Sequence, residues 1–353
     1  MRRRQFLGYC AASGLSSALC GQSIGGEPQE STGNPATAGL LIADPHAHPY
    51  PINATRSYDP AKPLLEIMAQ INMALSAFAA VGDLAYHSRR FGTPFMDTRD
   101  QLLPVKRLEE KGQIRLALRA ADLPVIATAG KPLVGLMAIE GGDALEGRLE
   151  NLDTFHAYGV RMLTLVHDRD NELGYNQRSG NDGRLSRFGI DVVEKMNKTG
   201  MLVDVAHAKT QTLQSIAEVS AMPLIDSHTS PFLPGEEGTG PRRLRTWQEM
   251  EIVAGTGGVI CTWPLAYSGK IGHRDSLKDW AEEIVRMKTR LGIEHCGLGT
   301  DGGGGLPHFV QGWKSIASLP DLIGEMRNAG LTQDDIAAFV GGNVLRLLGK
   351  ILA

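Results

Sequence analysis

The sequence predicts a single α/β domain built as a closed (β/α)8 TIM-type barrel, and two observations carry this prediction. Eight short apolar segments that are typical of buried strands alternate with helical segments from about residue 40 to the C-terminus. Side chains able to bind metals or carry protons follow at least six of these strands. A closed ring brings that many strand ends together, whereas a doubly wound open sheet, the alternative fold, collects its site at one crevice.

The composition is that of a globular chain with enough mass for one large core. Of the 353 residues, 42% are hydrophobic and 21% are charged, and the formal net charge is -3. A nucleic-acid partner is not expected, because no long basic run follows the first four residues. No apolar stretch approaches the length of about 20 residues that a transmembrane helix needs, so no transmembrane segment is expected.

Residues 1–37 differ from the barrel domain expected at 38–353. Within residues 2–7, an arginine pair stands two positions before Phe-Leu and leads into a mildly apolar stretch rich in Ala, Gly and Ser. This pattern resembles a twin-arginine export signal followed by a linker. We therefore expect the twin-arginine export machinery as a partner and a periplasmic or extracellular location, the alternative being a basic, frayed terminus. The bulky Leu19 before Cys20 does not favour a lipid anchor.

The predicted strands are short, predominantly apolar runs, as expected for strands that are buried on both faces. They cover residues 40–42, 78–81, 133–139, 160–166, 201–206, 223–227, 258–263 and 296–300. The predicted helices show apolar residues at spacings of three and four, and the fourth is bounded by Ser186 as N-cap and by Gly200. They cover residues 63–79, 100–111, 145–158, 186–199, 209–219, 246–254, 277–291, 319–329 and 332–348.

Two histidines follow the first predicted strand. Alternate residues of a strand face the same side, so His46 and His48 are expected to point the same way. Neutral imidazole nitrogens suit zinc and its first-row neighbours. Two such ligands form half of a metal site, although two solvated loop histidines would give the same sequence pattern.

Later strands end in the same kinds of residue. With the first pair, the strand-end side chains are His46, His48, Glu140, His167, His207, His228 and Asp301. A single histidine at a strand end is usually a cap, but its recurrence on several strands predicts a metal site. These ligands exceed the three protein groups and one water of a catalytic zinc. They suit two metal ions about 3.5–4 Å apart, with Glu140 as the bridging carboxylate.

Further polar residues near the strand ends have open or different roles. Asp301 precedes four glycines, and at such an open mouth it suits a base that takes a proton from the metal-bound water and passes it to a leaving group. An arginine pair at 242–243, in the long loop after His228, serves solubility or holds an anionic group of the substrate. Asp226 is either a neighbour of the ligands or misplaced by the strand boundaries, and Asp204 is expected to face the helices or a cap.

Eight segments of this chain resemble the membrane (renal) dipeptidase family of zinc metallopeptidases, which belongs to an amidohydrolase-like superfamily. The segments are residues 44–48, 139–142, 159–167, 185–189, 200–207, 227–230, 242–243 and 297–301. Their order and spacing agree with the family from about residue 40 to the C-terminus.

The resemblance implies a metal-lined barrel that cleaves dipeptides. The zinc ligands that it implies are His46, Glu140, His207 and His228, with Glu140 as the bridge. It also implies that His167 lies near the scissile carbonyl, that Arg243 holds the substrate's C-terminal carboxylate, and that Asp301 is the catalytic acid or base.

The chain departs from the family at four places. The family usually has Asp where this chain has His48, and His where this chain has Asp143. Two glycines follow Asp301 in place of Phe-Asp, and Leu244 replaces the usual Asn after the arginine pair. We expect His48 to bind metal as well, so the exchange removes one negative charge beside the ions.

We therefore expect an exported zinc dipeptidase that binds two divalent metal ions and a small peptide substrate. The expected reaction is attack of a metal-bridging hydroxide on the amide carbonyl. One alternative is a related binuclear amidohydrolase that acts on another amide, a lactam or an ester. The other is a non-catalytic, metal-dependent binding protein. The sequence does not determine the oligomeric state, and a homodimer is one alternative.

Overall fold

The computed structural model describes residues 34–49, 64–84, 92–125, 132–232, 243–268 and 273–353. From Thr32 onward the chain forms one compact unit. The expected export signal and Arg242 lie outside the described residues, so their predictions stay untested. Within the described ranges, no helix is both long and apolar enough to cross a bilayer.

Parallel strands form a barrel in the described part of the chain. The strands are β1 (Ile42–Asp44), β2 (Met73–Val81), β3 (Ile114–Leu116), β4 (Leu133–Glu140), β5 (Val160–Thr164), β6 (Leu202–Asp204), β7 (Ile225–Thr229), β8 (Val259–Thr262), β9 (Tyr267–Ser268), β10 (His273–Arg274) and β11 (Cys296–Leu298). The barrel order is β1-β2-β4-β5-β6-β7-β8-β11, with β3 beside β4 and β9 paired only with β10. This order follows the chain, which confirms the predicted (β/α)8 architecture.

Backbone contacts just beyond β1 and β11 bring the two ends of the sheet together. Ala47 and Gly302 form a parallel bridge. The amide of His48 donates to Gly302 O at 2.7 Å, and the amide of Asp301 donates to His46 O at 3.0 Å. The seam of the barrel therefore lies at the level of the predicted site residues.

Helices alternate with the strands as predicted. They are α1 (Leu64–Gln70), α2 (Pro94–Glu110), α3 (Leu149–Tyr158), α4 (Arg187–Thr199), α5 (Thr210–Val219), α6 (Trp247–Gly255), α7 (Leu277–Leu291), α8 (Leu319–Asn328), α9 (Gln333–Ala337) and α10 (Asn343–Ile351). Ser186 caps α4 by accepting from the Gly189 amide, and Gly200 ends that helix in the left-handed conformation. These are the two cap residues that the sequence predicted.

The apolar core has two layers. One layer lies between the strands and the surrounding helices and includes Phe78, Trp280 and Phe339. The other is formed by alternate residues of the barrel strands, including Leu136, Ala138 and Met162, together with the apolar face of α10. Glu140 continues the alternation of this inner layer at the end of β4, which turns its carboxylate into the barrel.

The helix predicted at 63–79 is wrong in its second half. α1 ends at Gln70, Asn72 adopts a positive φ of 57°, and β2 begins at Met73. Eight of the nine residues of β2 are buried. A run that is buried on nearly every side shows neither a helical nor a strand period, so spacing alone does not distinguish the two.

The predicted helix at 332–348 is interrupted. A π-helical turn, Ala338–Gly342, separates α9 from α10. A Cβ at Gly341 would lie 2.1 Å from Leu41 O, so only glycine allows this turn to pack against the chain entering β1. Two helix starts also differ, since α2 begins at Pro94, and the helix predicted at 145–158 begins at Leu149, after a 3-10 turn at Gly142–Leu145.

Candidate metal centre

The predicted strand-end residues lie together at one rim of the barrel. Glu140 ends β4 and His228 lies in β7, while the others follow β1, β5, β6 or β11 by two to four residues. The buried members are His46, His48, Glu140, His207, His228 and Asp301. The His167 side chain is 12% exposed. The rim therefore gathers imidazoles and carboxylates away from bulk water.

The Glu140 carboxylate lies at the centre of the cluster. Its Oε1 is 3.0 Å from His207 Nε2, 3.4 Å from His46 Nε2 and 3.5 Å from His228 Nε2. Its Oε2 is 3.2 Å from His48 Nε2. Two groups of potential ligand atoms, each within 4.8 Å, share this carboxylate: His46, His48 and Glu140, and Glu140, His207 and His228. One carboxylate shared by two sets of histidines suits a pair of divalent ions.

Ser227 fixes the tautomers of two of these histidines. Its hydroxyl is 2.7 Å from Asp204 Oδ2, and since a carboxylate only accepts, the single hydroxyl proton goes to Asp204. Ser227 Oγ then accepts from His46 Nδ1 at 3.2 Å and from His228 Nδ1 at 2.9 Å. Both neutral rings therefore carry hydrogen on Nδ1 and keep the Nε2 lone pair for the cluster.

A backbone carbonyl orients His48 in the same way. His48 Nδ1 is 2.8 Å from Ala79 O, so Nδ1 carries the hydrogen and Nε2 is left as the ligand atom. This Nε2 lies 3.2 Å from His46 Nε2. Two nitrogen lone pairs at such a distance repel one another unless they share a proton or a metal ion. The side chains present therefore fit divalent metal ions, and His48 is turned into the cluster although the family usually has Asp there.

The charges of the cluster also favour a cation. Burial by itself lowers the pKa of His46, but the charge and hydrogen bond of Glu140 raise it to about 9. Burial and the charge of Arg243 hold the pKa of His207 well below its ordinary value, and burial and the charge of His46 do the same for His228. A proton on His46 and a metal ion therefore compete for the same nitrogen.

Asp301 lies at the edge of the cluster in a constrained conformation. Its Oδ1 is 3.5 Å from His48 Nε2 and 3.9 Å from His46 Nε2. Its backbone has a positive φ of 47°, and a Cβ at Gly304 would lie 1.8 Å from this oxygen. Burial raises the pKa of Asp301. With His46 and His228 it forms a third potential ligand group, so its position suits a proton carrier or a metal ligand.

Asp83 orients His167 and was not identified from the sequence. Its Oδ1 is 2.8 Å from His167 Nδ1, and His167 Nε2 lies 3.5 Å from Glu140 Oε2. Burial lowers the pKa of His167, but the charge of Glu140 and the hydrogen bond of Asp83 raise it to about 9. Asp83 follows the end of β2 by two residues, so the strand-end rule that found the other residues would have found it as well.

The prediction that Asp204 faces the helices is wrong, whereas its alternative role as a cap is seen at Oδ1, which accepts from the Ala206 and Ser227 amides. Asp204 lies in the barrel, where it accepts from Thr164 Oγ1 at 2.6 Å and from Ser227. The prediction assumed that the strand alternation of side-chain directions extends from Asp204 to His207. It does not, because β6 ends at Asp204 and His207 has a positive φ of 64°. Asp226, left open by the sequence, pairs with buried Arg245 at 2.7 Å.

Arg243 pairs with an acidic residue of the same rim. Its guanidinium contacts Asp168, the residue that follows His167. The backbone carbonyl of Arg243 accepts from Thr229 Oγ1 at 3.0 Å, which ties Arg243 to the end of β7. Arg243 therefore lies at the rim that carries the cluster, and its guanidinium forms an ion pair with Asp168.

The fold and the site together define a class of protein, the metal-binding parallel barrels. Comparison of the sequence with family models identifies the family within that class. Residues 73–352 match the model of the membrane dipeptidase family, peptidase family M19, and the chain belongs to that family. The resemblance seen in the sequence is thereby confirmed.

Curated relatives carry dipeptidase names. Dipeptidase aclJ from Aspergillus oryzae is 30% identical over 220 residues, which cover 61% of this chain and 51% of the relative. Dipeptidase tcpJ from Claviceps purpurea is 27% identical over 262 residues, which cover 72% of this chain and 60% of the relative. The chain thus spans between half and two thirds of the length of these two relatives.

Solved structures share the barrel. The probable dipeptidase PvdM from Pseudomonas aeruginosa has a TM-score of 0.75 at 20% identity, covering 90% of this chain and 96% of its own. A metallo peptidase from Rhodobacter sphaeroides, solved with a phosphinate mimic of the dipeptide L-Ala-D-Ala, has a TM-score of 0.73 at 19% identity, covering 89% of this chain and 99% of its own. At these identities the likeness establishes the fold.

Proposed function

We propose that this protein is a metallo-dipeptidase with two zinc ions at the barrel rim. The observation that carries the proposal is the Glu140 carboxylate, which is shared by two groups of histidine ligands. His46 and His48 would hold one ion with Glu140, and His207 and His228 would hold the other. Imidazole nitrogens as the predominant ligands favour zinc over magnesium or calcium.

The side chains around the ligands suit amide hydrolysis. Bound zinc ions would polarise the scissile carbonyl and lower the pKa of a water molecule. Asp301, at the edge of the cluster and with a raised pKa, would accept a proton and return it to the leaving amine. His167 donates Nδ1–H to Asp83, which orients its Nε2 toward the cluster, where a protonated ring would donate a hydrogen bond to an oxyanion.

The proposed substrate is a small peptide whose C-terminal end lies toward Arg243. Arg243 is the described guanidinium whose charge acts on His207, His228 and Asp301. A guanidinium at the rim that carries the ligands suits a short substrate with an anionic end. The dipeptide mimic bound to the Rhodobacter sphaeroides peptidase supports a substrate of this size.

We also propose export by the twin-arginine machinery, on the basis of residues 2–7. Replacing Arg3 and Arg4 by Lys should keep the full-length protein inside the cell. Cell fractionation measures this, with the unaltered chain as the control, and export of the variant would contradict the proposal.

The activity is tested by turnover of a dipeptide panel by zinc-loaded protein. We expect about two equivalents of zinc by elemental analysis, loss of turnover after chelation, and its recovery on reloading. Hydrolysis of lactams or esters without dipeptide hydrolysis would indicate a related amidohydrolase. Two bound ions without turnover of any of these substrates would indicate a binding protein.

A further inference from the structure

Arg243 lies where a substrate group could reach it from the metal centre. Its side chain is 21% exposed, and Thr229 holds its backbone at the end of β7. Its guanidinium pairs with Asp168, which directly follows His167 of the cluster in the chain. A carboxylate bound to Arg243 would therefore lie next to the reacting end of a short substrate.

A carboxylate of the chain already occupies this position. Asp168 Oδ1 forms an ion pair with Arg243 Nη2, and Arg178 Nη1 lies 3.2 Å from the same oxygen. The Asp168 side chain is 26% exposed. Arg243 thus already has a carboxylate partner at the mouth of the barrel, which it shares with Arg178 and which offsets part of its charge.

A hydrogen bond from the backbone amide of Asp168 helps to hold its carboxylate beside Arg243. Its amide donates to Asp83 Oδ2 at 3.2 Å, while Asp83 Oδ1 binds His167 Nδ1 at 2.8 Å. Asp83 is fully buried, so it is a rigid anchor for the start of the loop. The short Asp168 side chain is therefore preorganised against Arg243 by the same residue that orients His167.

We propose that Asp168 is a specificity-determining residue that competes with the substrate's C-terminal carboxylate for Arg243. The inference rests on the proposed dipeptidase function and deepens it by naming a favoured substrate class, peptides with an uncharged C-terminal group such as an amide or ester. A free carboxylate must displace Asp168 and then lie beside its negative charge. A neutral carboxamide accepts a hydrogen bond without displacing it.

The test compares Asp168→Asn with the unaltered zinc-loaded protein on one dipeptide in two forms, with a free and with an amidated C-terminus. Asn keeps the size of the side chain and the backbone hydrogen bond to Asp83. We expect KM for the free dipeptide to fall about fivefold with kcat unchanged, since the ion pair is partly exposed. We expect KM for the amidated dipeptide to stay the same.

Glu172→Gln is the matched control, because it removes one negative charge from an exposed position of the same loop. It should change neither KM. An equal change of both KM values in Asp168→Asn, or no change in either, would overturn the role of Asp168 while leaving the dipeptidase function intact. Absence of turnover of both substrates by the unaltered protein would overturn the proposed function and this inference together.

Discussion

The interior and the mouth of the candidate metal centre are held in different ways. In the interior, His46 and His228 are at most 2% exposed and share Ser227 as the acceptor of their Nδ1 hydrogens. At the mouth, Arg243 and Asp168 form an ion pair whose side chains are 21% and 26% exposed. Buried hydrogen bonds impose one geometry, whereas an exposed ion pair contributes only about 0–1 kcal/mol. Metal chemistry is therefore set by the barrel, and substrate preference by loops that can change without moving the ligands.

The largest effect is expected for Glu140→Gln, which tests the interior directly. The amide removes the charge shared by both ligand groups, so metal content should fall from about two equivalents to one or fewer, with loss of nearly all activity. Elemental analysis after gel filtration measures this, and Glu172→Gln serves as the charge-matched control. Retention of both equivalents would contradict the shared role of Glu140.

Asp301→Asn should lower kcat by about 10²–10⁴-fold while both metal equivalents remain. The amide keeps the shape of the side chain but removes the oxygen that accepts a proton. Steady-state kinetics and metal analysis on the same preparation measure both quantities. A kcat within about threefold of the unaltered protein would mean that another group carries the proton. Loss of one metal equivalent would instead identify Asp301 as a ligand.

Ser227→Ala should weaken metal binding about 10–100-fold, because two ligand histidines lose the acceptor that sets their tautomers. Competition with a chelator measures the affinity, and nitrogen NMR of the imidazoles reports the tautomers. Thr164→Val is the control, since it removes a hydroxyl from Asp204 without contacting either histidine. Equal losses of affinity in the two variants would show that Ser227 acts only through Asp204.

The smallest effect is expected at the mouth, for Arg243→Ala. KM for dipeptides with a free C-terminus should rise about tenfold, and KM for amidated dipeptides should rise less, because they lose only a neutral hydrogen bond, while metal content and kcat stay the same. Asp168 already offsets part of the charge of Arg243, which keeps the effect modest. Loss of metal in this variant would show that the mouth residues also affect metal binding, and would contradict the division between mouth and interior.

The barrel and the gathering of its strand-end residues could be predicted, because parallel strands of a closed sheet present their carboxyl ends on one rim. Glu140 and His228 were found by asking only where apolar runs end. The same rule applied to the end of the strand predicted at 78–81 would have found Asp83, which follows it by two residues. The start of that strand was missed, because a buried run of small apolar residues carries no period that separates a helix from a strand.

The hydrogen bonds behind the ligands could not be predicted from parity. His207 has a positive φ, so the alternation of side-chain directions along β6 does not predict where its side chain points. Asp204 shares the inward-facing side of β6 with Leu202. Ser227 contacts His46, which lies 181 positions earlier in the chain, and no local sequence pattern encodes such a contact. The pairing of Asp168 with Arg243 likewise depends on two loops that meet only in the folded barrel.

The seam between β1 and β11 has a kinetic consequence. The backbone bonds at His48 and Asp301 lie beside a contact between Asp44 and Thr300, which are 256 positions apart. Contacts between such distant positions carry a large loop-closure entropy cost and slow the folding of the chain. Because the backbones of His46, His48 and Asp301 make the bonds that close the seam, its opening would move these side chains away from the other ligands. The frequency at which the seam opens would then limit metal release, and hydrogen exchange at the His48 and Asp301 amides would report that frequency.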